Sequence, residues 1–355
     1  MESRVEVLIA QPSGAILRMV TDDMTGDSDT RRGYRHEATG IVTAADPEAP
    51  IAPYEMRLRG QRATVRKGVL GPDGRWWWAP QCTGRLTRSV PVGTGWQIRI
   101  CSPEIMIDWS GFARPRAIVG SAIATLRYLV AEVDRGAPVD VHPGIVDVTM
   151  PSKTYPADGG MRQAVTDATQ VLGARLYTTP AGGWRIAPIP TPSDPAAWRI
   201  TTENLVVDDA LAGDDEDDTF NVVSVASTET DFAHIVGLAF VGDAGSRLYV
   251  GDTGMELLTG IRGTAGTEGY GVKTSYLALP LTSQTAAGVA AAARLQELTN
   301  RGSARVLTMH ELPWADVDQV LHVTGPSGKA SRHLITRLPR PITAGGLVTP
   351  DTVTS

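Results

Sequence analysis

Apolar residues recurring at every second position, separated by turn signals, are the feature that most constrains the fold of this chain. The segment SRVEVLIA alternates over Val5, Val7 and Ile9, and the run AILRMV follows after a turn at 12–14. A second turn signal, Gly-Pro-Asp-Gly at 71–74, combines a proline that presets φ with glycines that accept positive φ. Four or more strands in about 110 residues without a helical period predict a small antiparallel barrel or sandwich.

The middle of the chain has a different periodicity. Residues 116–133, RAIVGSAIATLRYLVAEV, place apolar side chains at helical spacing. A second helix is predicted to begin near Asp158, a candidate N-cap, and to end at Gly173, a candidate C-cap. A hairpin with a glycine-rich turn at 180–183 follows it. Residues 112–200 are therefore predicted to form a small α+β module.

The last part of the chain returns to strand patterns. Its exception is an alanine-rich segment that predicts one long helix at about 284–300. Three further strand patterns follow this helix. The order along the chain is therefore a β-rich segment, an α+β module and a second β-rich segment.

Charge and hydropathy exclude several classes of function. The chain has 33 Lys+Arg against 39 Asp+Glu, a net charge of −6, and no run of basic residues. It is therefore a poor candidate for binding the phosphate backbone of nucleic acids. Its apolar runs are all shorter than the roughly 20 residues needed to span a bilayer, so no stable membrane insertion is expected.

Catalytic, cofactor and metal motifs are present only as near misses. Cys82 and Cys101 form no CxxC pair and are expected to be small core residues rather than a disulfide. His310 and Glu311 begin an HExxH-like motif, but Trp314 replaces the second histidine. The chain has no complete P-loop, dinucleotide fingerprint or GxSxG elbow. We therefore expect no catalytic residue, no cofactor and no metal, and predict that the protein is not an enzyme.

Two groups of polar residues leave alternatives open. His322 and His333 could face each other across a hairpin, although hydrogen-bonded strand histidines are favoured over a metal pair. An acidic run begins at Asp208 and Asp209 and continues through a second stretch. The members of that stretch are Asp214, Asp215, Glu216, Asp217 and Asp218. A solvated loop is favoured over calcium binding, because Thr219 replaces the glycine of an EF-hand loop. If the run instead lined a channel, it would repel the phosphates of DNA.

Three consecutive tryptophans, Trp76, Trp77 and Trp78, lie within a predicted strand. Successive side chains of a strand point to opposite faces, so Trp77 should face away from the other two. Burial in the core and under a neighbouring segment is the favoured interpretation. A subunit interface is the next, since large aromatic residues dominate interface energetics, and a glycan platform is the third. The three residues are our candidates for an interface.

Three segments resemble the baseplate-hub or minor tail proteins of long-tailed bacteriophages. Residues 164–190, AVTDATQVLGARLYTTPAGGWRIAPIP, are similar to a helix, strand and hairpin midway in those proteins. Residues 219–227, TFNVVSVAS, resemble the strand that follows there. Residues 271–326 resemble a later pattern of an aromatic segment ending in proline, an alanine-rich helix and two strands. The resemblance covers roughly residues 112–345, and the N-terminal part matches in outline.

The resemblance implies a fold class and an assembly. The protein would be mainly β, with two antiparallel β-barrel domains of the tail-tube type flanking the small α+β module. The corresponding domains would be 1–111, 112–200 and 201–355, the last one including the helix at about 284–300. Three subunits would form a ring that presents six barrels to a sixfold tail tube. Such a homotrimer would be the structural hub of the tail tip, joining the sixfold tube to threefold tip proteins.

The resemblance also implies partners and a location. The hub would contact a distal tail or tail tube protein on one side and a tail fibre or receptor-binding protein on the other. The tape measure protein and DNA would pass through its lumen without specific binding, and a basic inner wall would hinder that passage. The acidic run is a candidate for the lumen or its rim. The protein would lie in the virion after assembly in the host cytoplasm.

Two other functions remain open from the sequence. A tail-associated peptidoglycan hydrolase is one, although the near misses above count against it. A carbohydrate-binding tip module is the other, suggested by the three tryptophans. An assay of cell-wall hydrolysis and a glycan-binding screen would distinguish these from a purely structural role.

Overall fold

The architecture is seen in a computed structural model of the chain. It describes residues 3–11, 14–45, 60–201, 205–211, 220–244, 246, 248–261, 269–301, 304–324, 330–341 and 347–354. Strands outnumber helices throughout these residues, and the prediction of a mainly β chain is confirmed.

The first six strands of the chain form a closed antiparallel barrel. Six strands build it: β1 (Ser3–Ala10), β2 (Ile16–Asp29), β3 (His36–Ala44), β4 (Arg62–Leu70), β5 (Trp76–Val92) and β6 (Gly95–Cys101). Their order is β1-β4-β5-β6-β3-β2, and pairing of β1 with β2 closes the circle. Of the barrel or sandwich predicted from the alternating pattern, the structure has the barrel.

Alternation along the strands separates the barrel core from its surface. Val5, Val7 and Ile9 of β1 are buried inside with residues from every other strand of the barrel. Arg4 and Glu6, the intervening residues, point outward because side chains alternate across a strand. Both cysteines are buried and free, as expected of core residues.

Residues 105–188 add helices and short sheets. The elements are α1 (Ile105–Trp109), β7 (Arg116–Ser121), α2 (Ala122–Val133), β8 (Val139–Val141), β9 (Thr149–Tyr155), α3 (Gly160–Leu172), β10 (Ala174–Thr178) and β11 (Trp184–Pro188). α2 begins six residues later than its predicted segment, because 116–121 pair with β9 and the Ser121 hydroxyl caps the helix by accepting from the Ala124 amide. Gly173 ends α3 with a φ of 60°, as predicted, whereas Gly159 rather than Asp158 holds the N-cap position.

The second half of the chain alternates between two structural layers. Its elements are β12 (Ala196–Ile200), β13 (Leu205–Leu211), β14 (Val222–Ser227), β15 (Val236–Phe240), α4 (Gly251–Thr259), β16 (Thr274–Leu279), α5 (Gln284–Arg301), β17 (Ala304–His310), β18 (Val320–Thr324), β19 (Ala330–Pro341), β20 (Leu347–Val348) and β21 (Asp351–Thr354). Strands β15, β14 and β16 form a separate three-stranded sheet in that order. Strands β12, β13 and β17 to β21 belong to the large sheet that also contains the barrel.

The long helix predicted at about 284–300 is α5. It lies on β14 and β15 and against α3 rather than on a barrel. A stripe of alanines on the helix lets the backbones approach closely there. Buried residues of α2, α3, β14, β16 and α5 share one core. Strands β14 and β16 and helix α5 therefore pack with the α+β module, and the predicted limits of the three domains stay a prediction.

One long strand joins the barrel to the C-terminal sheet. β19 pairs with β18 and β21 over its first part and with β2 over residues 337–341. The C-terminal strands follow in the order β12-β18-β19-β21-β17-β13 around a core of their own. Within the described residues, no pairing joins β12 to β13, so the closed barrel is the N-terminal one. None of the described helices has the length and apolar character needed to cross a bilayer.

Candidate assembly surfaces

The three tryptophans begin β5 and point to alternate sides of it, as predicted. In the register with β4, Gly68 lies opposite Trp78. The rings of Trp76 and Trp78 stack with centroids 5.9 Å apart. Both rings lie over Gly68, where a Cβ atom would come within 2.9 Å of them. Glycine is therefore required opposite the stacked rings of Trp76 and Trp78. Trp77, on the other side of the strand, is 59% exposed.

Arginines cover the stacked pair from the neighbouring strands. The Arg4 guanidinium lies 5.0 Å from the ring centre of Trp76, and that of Arg66 lies 4.2 Å from the ring centre of Trp78, distances typical of cation–π contacts. Glu6 lies between the two arginines and pairs with both. Its burial opposes ionisation, but hydrogen bonds from Arg66 and Arg4 outweigh this and lower the pKa of Glu6.

This outer side of the barrel is basic and partly apolar. By register, Arg18 lies opposite Leu8 on the outward side, and Ile16 lies opposite Ala10; Ile16 is 64% exposed. Four arginines point outward here against the single Glu6. We call this surface the aromatic–arginine face, defined by Arg4, Ile16, Arg18, Arg62, Arg66, Trp76 and Trp78.

A different face of the same barrel has balanced charges. On the outer side of β6, β3, β2, β19 and β21, each of four arginines pairs with carboxylates. Arg99 bonds Glu37 at 2.6 Å, and Arg32 bonds Asp27 at 2.7 Å. We call this the paired-charge face, defined by Arg31, Arg32, Arg99, Arg337, Asp27, Asp29, Glu37 and Asp351. Burial opposes ionisation of Glu37, but hydrogen bonds from Arg99 and Tyr34 lower its pKa.

Buried ion pairs connect the barrel to the segment between β17 and β18. Arg35, in the turn before β3, donates to the Asp318 carboxylate and to the Val317 carbonyl, both at 2.6 Å. Its guanidinium also lies 4.1 Å from the ring centre of Tyr177. Arg175 of β10 donates to the other oxygen of Asp318 at 2.9 Å. Asp318 therefore links three parts of the chain, and these two arginines keep its pKa lowered although its burial opposes this.

A second buried arginine, Arg340 of β19, extends this junction. It donates to the Gln81 side chain at 2.8 Å and to the Ala315 carbonyl at 2.7 Å, and it contacts Asp316 at 3.3 Å. Nearby, His36 lies between the Ser28 hydroxyl at 2.8 Å and the Thr178 carbonyl at 3.0 Å. These contacts hold the barrel, the α+β module and the C-terminal sheet in one fixed arrangement.

Two further groups of residues were predicted as sites. Asp214, Asp215, Glu216, Asp217 and Asp218 lie outside the described residues. His322 and His333 occupy neighbouring register rows, since His333 lies opposite Leu321, so their side chains point to opposite sides. His333 is buried and bonded to Ser331 and Thr352, which is the hydrogen-bonded arrangement that the sequence favoured.

Sequence reasoning missed the junction residues Arg35, Arg175, Asp316, Asp318 and Arg340. One signal was present, because Asp316 and Asp318 flank the apolar Val317 in the segment Ala315 to Val320. Carboxylates in such a stretch are buried only when paired. Arg35 and Arg175 lie 283 and 143 positions from Asp318, and Arg340 lies 24 positions from Asp316, so no local pattern identifies these partners.

No family model matches the chain, and no curated protein matches it. Solved structures match over its whole length. The tail protein from Neisseria meningitidis MC58 superposes with a TM-score of 0.64 at 12% identity, covering 100% of this chain and 97% of that one. The 43 kDa tail protein of prophage MuSo2 from Shewanella oneidensis gives 0.58 at 14% identity, with 99% and 98% covered. Prophage tail protein gp18 from Listeria monocytogenes gives 0.54 at 9% identity, with 98% and 94% covered.

The chain therefore has the fold of phage tail proteins. A type VI secretion component from Escherichia coli also matches, with a TM-score of 0.50 at 10% identity, covering 100% of this chain and 75% of that one. That protein is described as similar to the phage T4 tail proteins gp27 and gp5. At these identities the likeness is one of fold. It confirms the resemblance to tail and baseplate proteins that the sequence indicated. These neighbours are described as tail and secretion-system components.

Proposed function

We propose that this protein is the structural hub of a phage tail tip. Three copies would form a ring that joins a sixfold tail tube or distal-tail ring to threefold tip proteins. The observation that carries the proposal is the continuous sheet that β19 builds between the closed barrel and the C-terminal strands, in a chain that matches tail proteins end to end. A ring of three such chains offers six β units to a sixfold partner.

The proposal treats the C-terminal strands as a second barrel of the tube type. Supporting this, Ile200, Leu307, Leu321 and Ile335 come from four strands and share a core that is separate from the N-terminal one. Strands of the C-terminal sheet therefore bury side chains around a common core, as the wall of a barrel would. The three domains would be 1–111, 112–200 and 201–355.

The lumen of the ring would be neutral to acidic, so that passing DNA is not held. The paired-charge face suits this role, because each of its arginines is neutralised by a carboxylate and the chain as a whole has a net charge of −6. The acidic run at 214–218 is the candidate for the lumen or its rim. The tape measure protein would pass along the same channel.

The proposed partners follow from this position. A distal tail or tail tube protein would bind one side of the ring, and a tail fibre or receptor-binding protein would bind the other. The three tryptophans of β5 are candidates for a subunit interface, with Trp76 and Trp78 stacked beneath arginines and Trp77 exposed. Assembly would take place in the host cytoplasm and the finished hub would lie in the virion, without stable membrane insertion.

A reconstruction of the assembled tail tip by electron cryomicroscopy tests the proposal. The expected result is three copies in a ring, with the barrel and the C-terminal strands alternating around a channel. A hexameric or monomeric arrangement would contradict the proposal. A channel lined by unpaired arginines would contradict the lumen assignment while leaving the hub role intact.

A further inference from the structure

The sheet β15-β14-β16 leaves one of its faces largely open. Val223 and Val225 of β14 are fully buried in the core that includes α5, and the alternate residues point the other way. On that other side, Ser224 lies between Leu238 and Tyr276 in the register. Leu238 is 43% exposed and Tyr276 is 81% exposed. We call this surface the open sheet face, defined by Ser224, Ala226, Val236, Leu238 and Tyr276.

Helix α4 covers only one end of this face. It packs beside Val222, where Tyr249, Val250 and Met255 complete a small separate core. Leu257, in the last turn of α4, is itself 75% exposed. Val236, Leu238 and Tyr276 are close together in the register of this face, and all three are exposed. Adjacent exposed apolar side chains mark an interaction surface, because monomeric proteins rarely leave large apolar patches in water.

The charge around this region is opposite to that of the aromatic–arginine face. The described part of residues 220–279 contains five acidic residues and one basic residue, Lys273. The aromatic–arginine face presents Arg4, Arg18, Arg62 and Arg66 against the single Glu6. Each surface therefore combines exposed apolar side chains with a charge that the other would neutralise.

We infer that these two surfaces are the two sides of one contact between copies of this chain. The aromatic–arginine face of one subunit lies on the open sheet face of the next. Two different patches on one chain form a heterologous contact, and such contacts generate a closed ring when the rotation closes. Complementary charge sets the register of the contact, and tryptophan and arginine are the residue types that dominate such interfaces. The inference rests on the proposed trimer and assigns its contact.

The test uses the purified full chain with substitutions at exposed positions. One variant, Leu238→Asp with Tyr276→Asp, removes the open sheet face. Another, Ile16→Asp with Arg18→Glu, removes the aromatic–arginine face. Val146→Asp, at a position 80% exposed on the α+β module, is the matched control. Size-exclusion chromatography with light scattering gives the mass at micromolar concentration, against 37.7 kDa for one chain, and circular dichroism confirms that each variant is folded.

We expect the wild type and the control to be trimers. The trimer population of each double variant should be at least tenfold smaller than that of the wild type. Mixing the two double variants should yield a heterodimer, because the mixture retains exactly one intact pair of surfaces. Trimeric double variants beside a trimeric wild type would overturn this inference and leave the hub proposal standing, as would variants that fail to form the mixed dimer. A wild type that is monomeric in solution would overturn this inference, and one that is monomeric in the assembled tail as well would overturn both.

Discussion

At the scale of single residues, the junction between the barrel and the C-terminal sheet depends on buried arginines. Arg340 is 4% exposed and pairs with Asp316. Replacing it with alanine leaves a buried carboxylate without this partner, so Arg340→Ala should lower the free energy of unfolding by about 3–5 kcal/mol. Urea unfolding followed by circular dichroism measures the loss. Arg135→Ala, at an exposed position, is the control and should change stability by less than about 0.5 kcal/mol; equal losses would contradict the prediction.

A buried histidine at the same junction predicts a dependence on pH. Burial, reinforced by Arg35 and Arg340 and opposed by Asp316, lowers the pKa of His36 to about 4, against roughly 6.5 in the unfolded chain. The unfolded chain therefore binds a proton in this window that the folded chain does not, so stability falls as the pH drops from 6.5 to 4. The loss from this one group should reach about 3 kcal/mol.

His36→Gln isolates this contribution from that of the carboxylates. The variant should have a flatter slope of unfolding free energy against pH between 6.5 and 4 than the wild type. His234→Gln, at an exposed position, should keep the slope of the wild type. Parallel curves for the wild type and His36→Gln would refute the assignment.

At the scale of elements, the close packing of α5 on β15 depends on one glycine. A Cβ atom at Gly237 would overlap the Ala287 carbonyl of the helix, whereas nothing lies within 4 Å of one at Gly288 in the same helix. Gly237→Ala should therefore lower the unfolding free energy by about 1–3 kcal/mol through overpacking. Gly288→Ala should raise it by about 0.5–1 kcal/mol, because alanine favours the helix. Thermal unfolding of the pair decides this, and a stable Gly237→Ala protein would show that the helix can move away.

At the scale of the whole molecule, the paired charges should control affinity for nucleic acid. The wild type, with its net charge of −6, should bind duplex DNA negligibly at 50 mM salt. Asp27→Asn with Glu37→Gln removes the carboxylates that Arg99 and Arg337 contact, and it leaves Arg32 with Asp29 at 3.9 Å. Fluorescence anisotropy should then show at least tenfold tighter binding, lost again as salt is raised.

A control with the same change in net charge separates the local effect from the global one. Asp140→Asn with Glu132→Gln alters two exposed carboxylates of the α+β module, and its DNA affinity should stay near that of the wild type. Equal gains for both double variants would mean that net charge alone governs binding. The role given to the paired-charge face would then be wrong.

Local patterns predicted the elements that depend on local physics. Alternation over Val5, Val7 and Ile9 predicted the barrel strand that buries them, and the glycine at 173 predicted the end of α3. The start of α2 was missed because pairing of 116–121 with β9 overrides helical spacing in that segment. Pairing of distant strands is a tertiary effect, and a single local window does not contain it.

By itself, the sequence determined which residues are apolar, where the chain turns and which segments have a strand or helix period. These features are enough to predict a mainly β chain with a long helix near 284–300. The tertiary structure decided what each surface contacts. It placed α5 on the α+β layer, brought Arg340 to Asp316, and joined β19 to β2. The physical reason is that burial and ion pairing depend on distances between residues far apart in the chain, whereas periodicity and turn chemistry depend on neighbours.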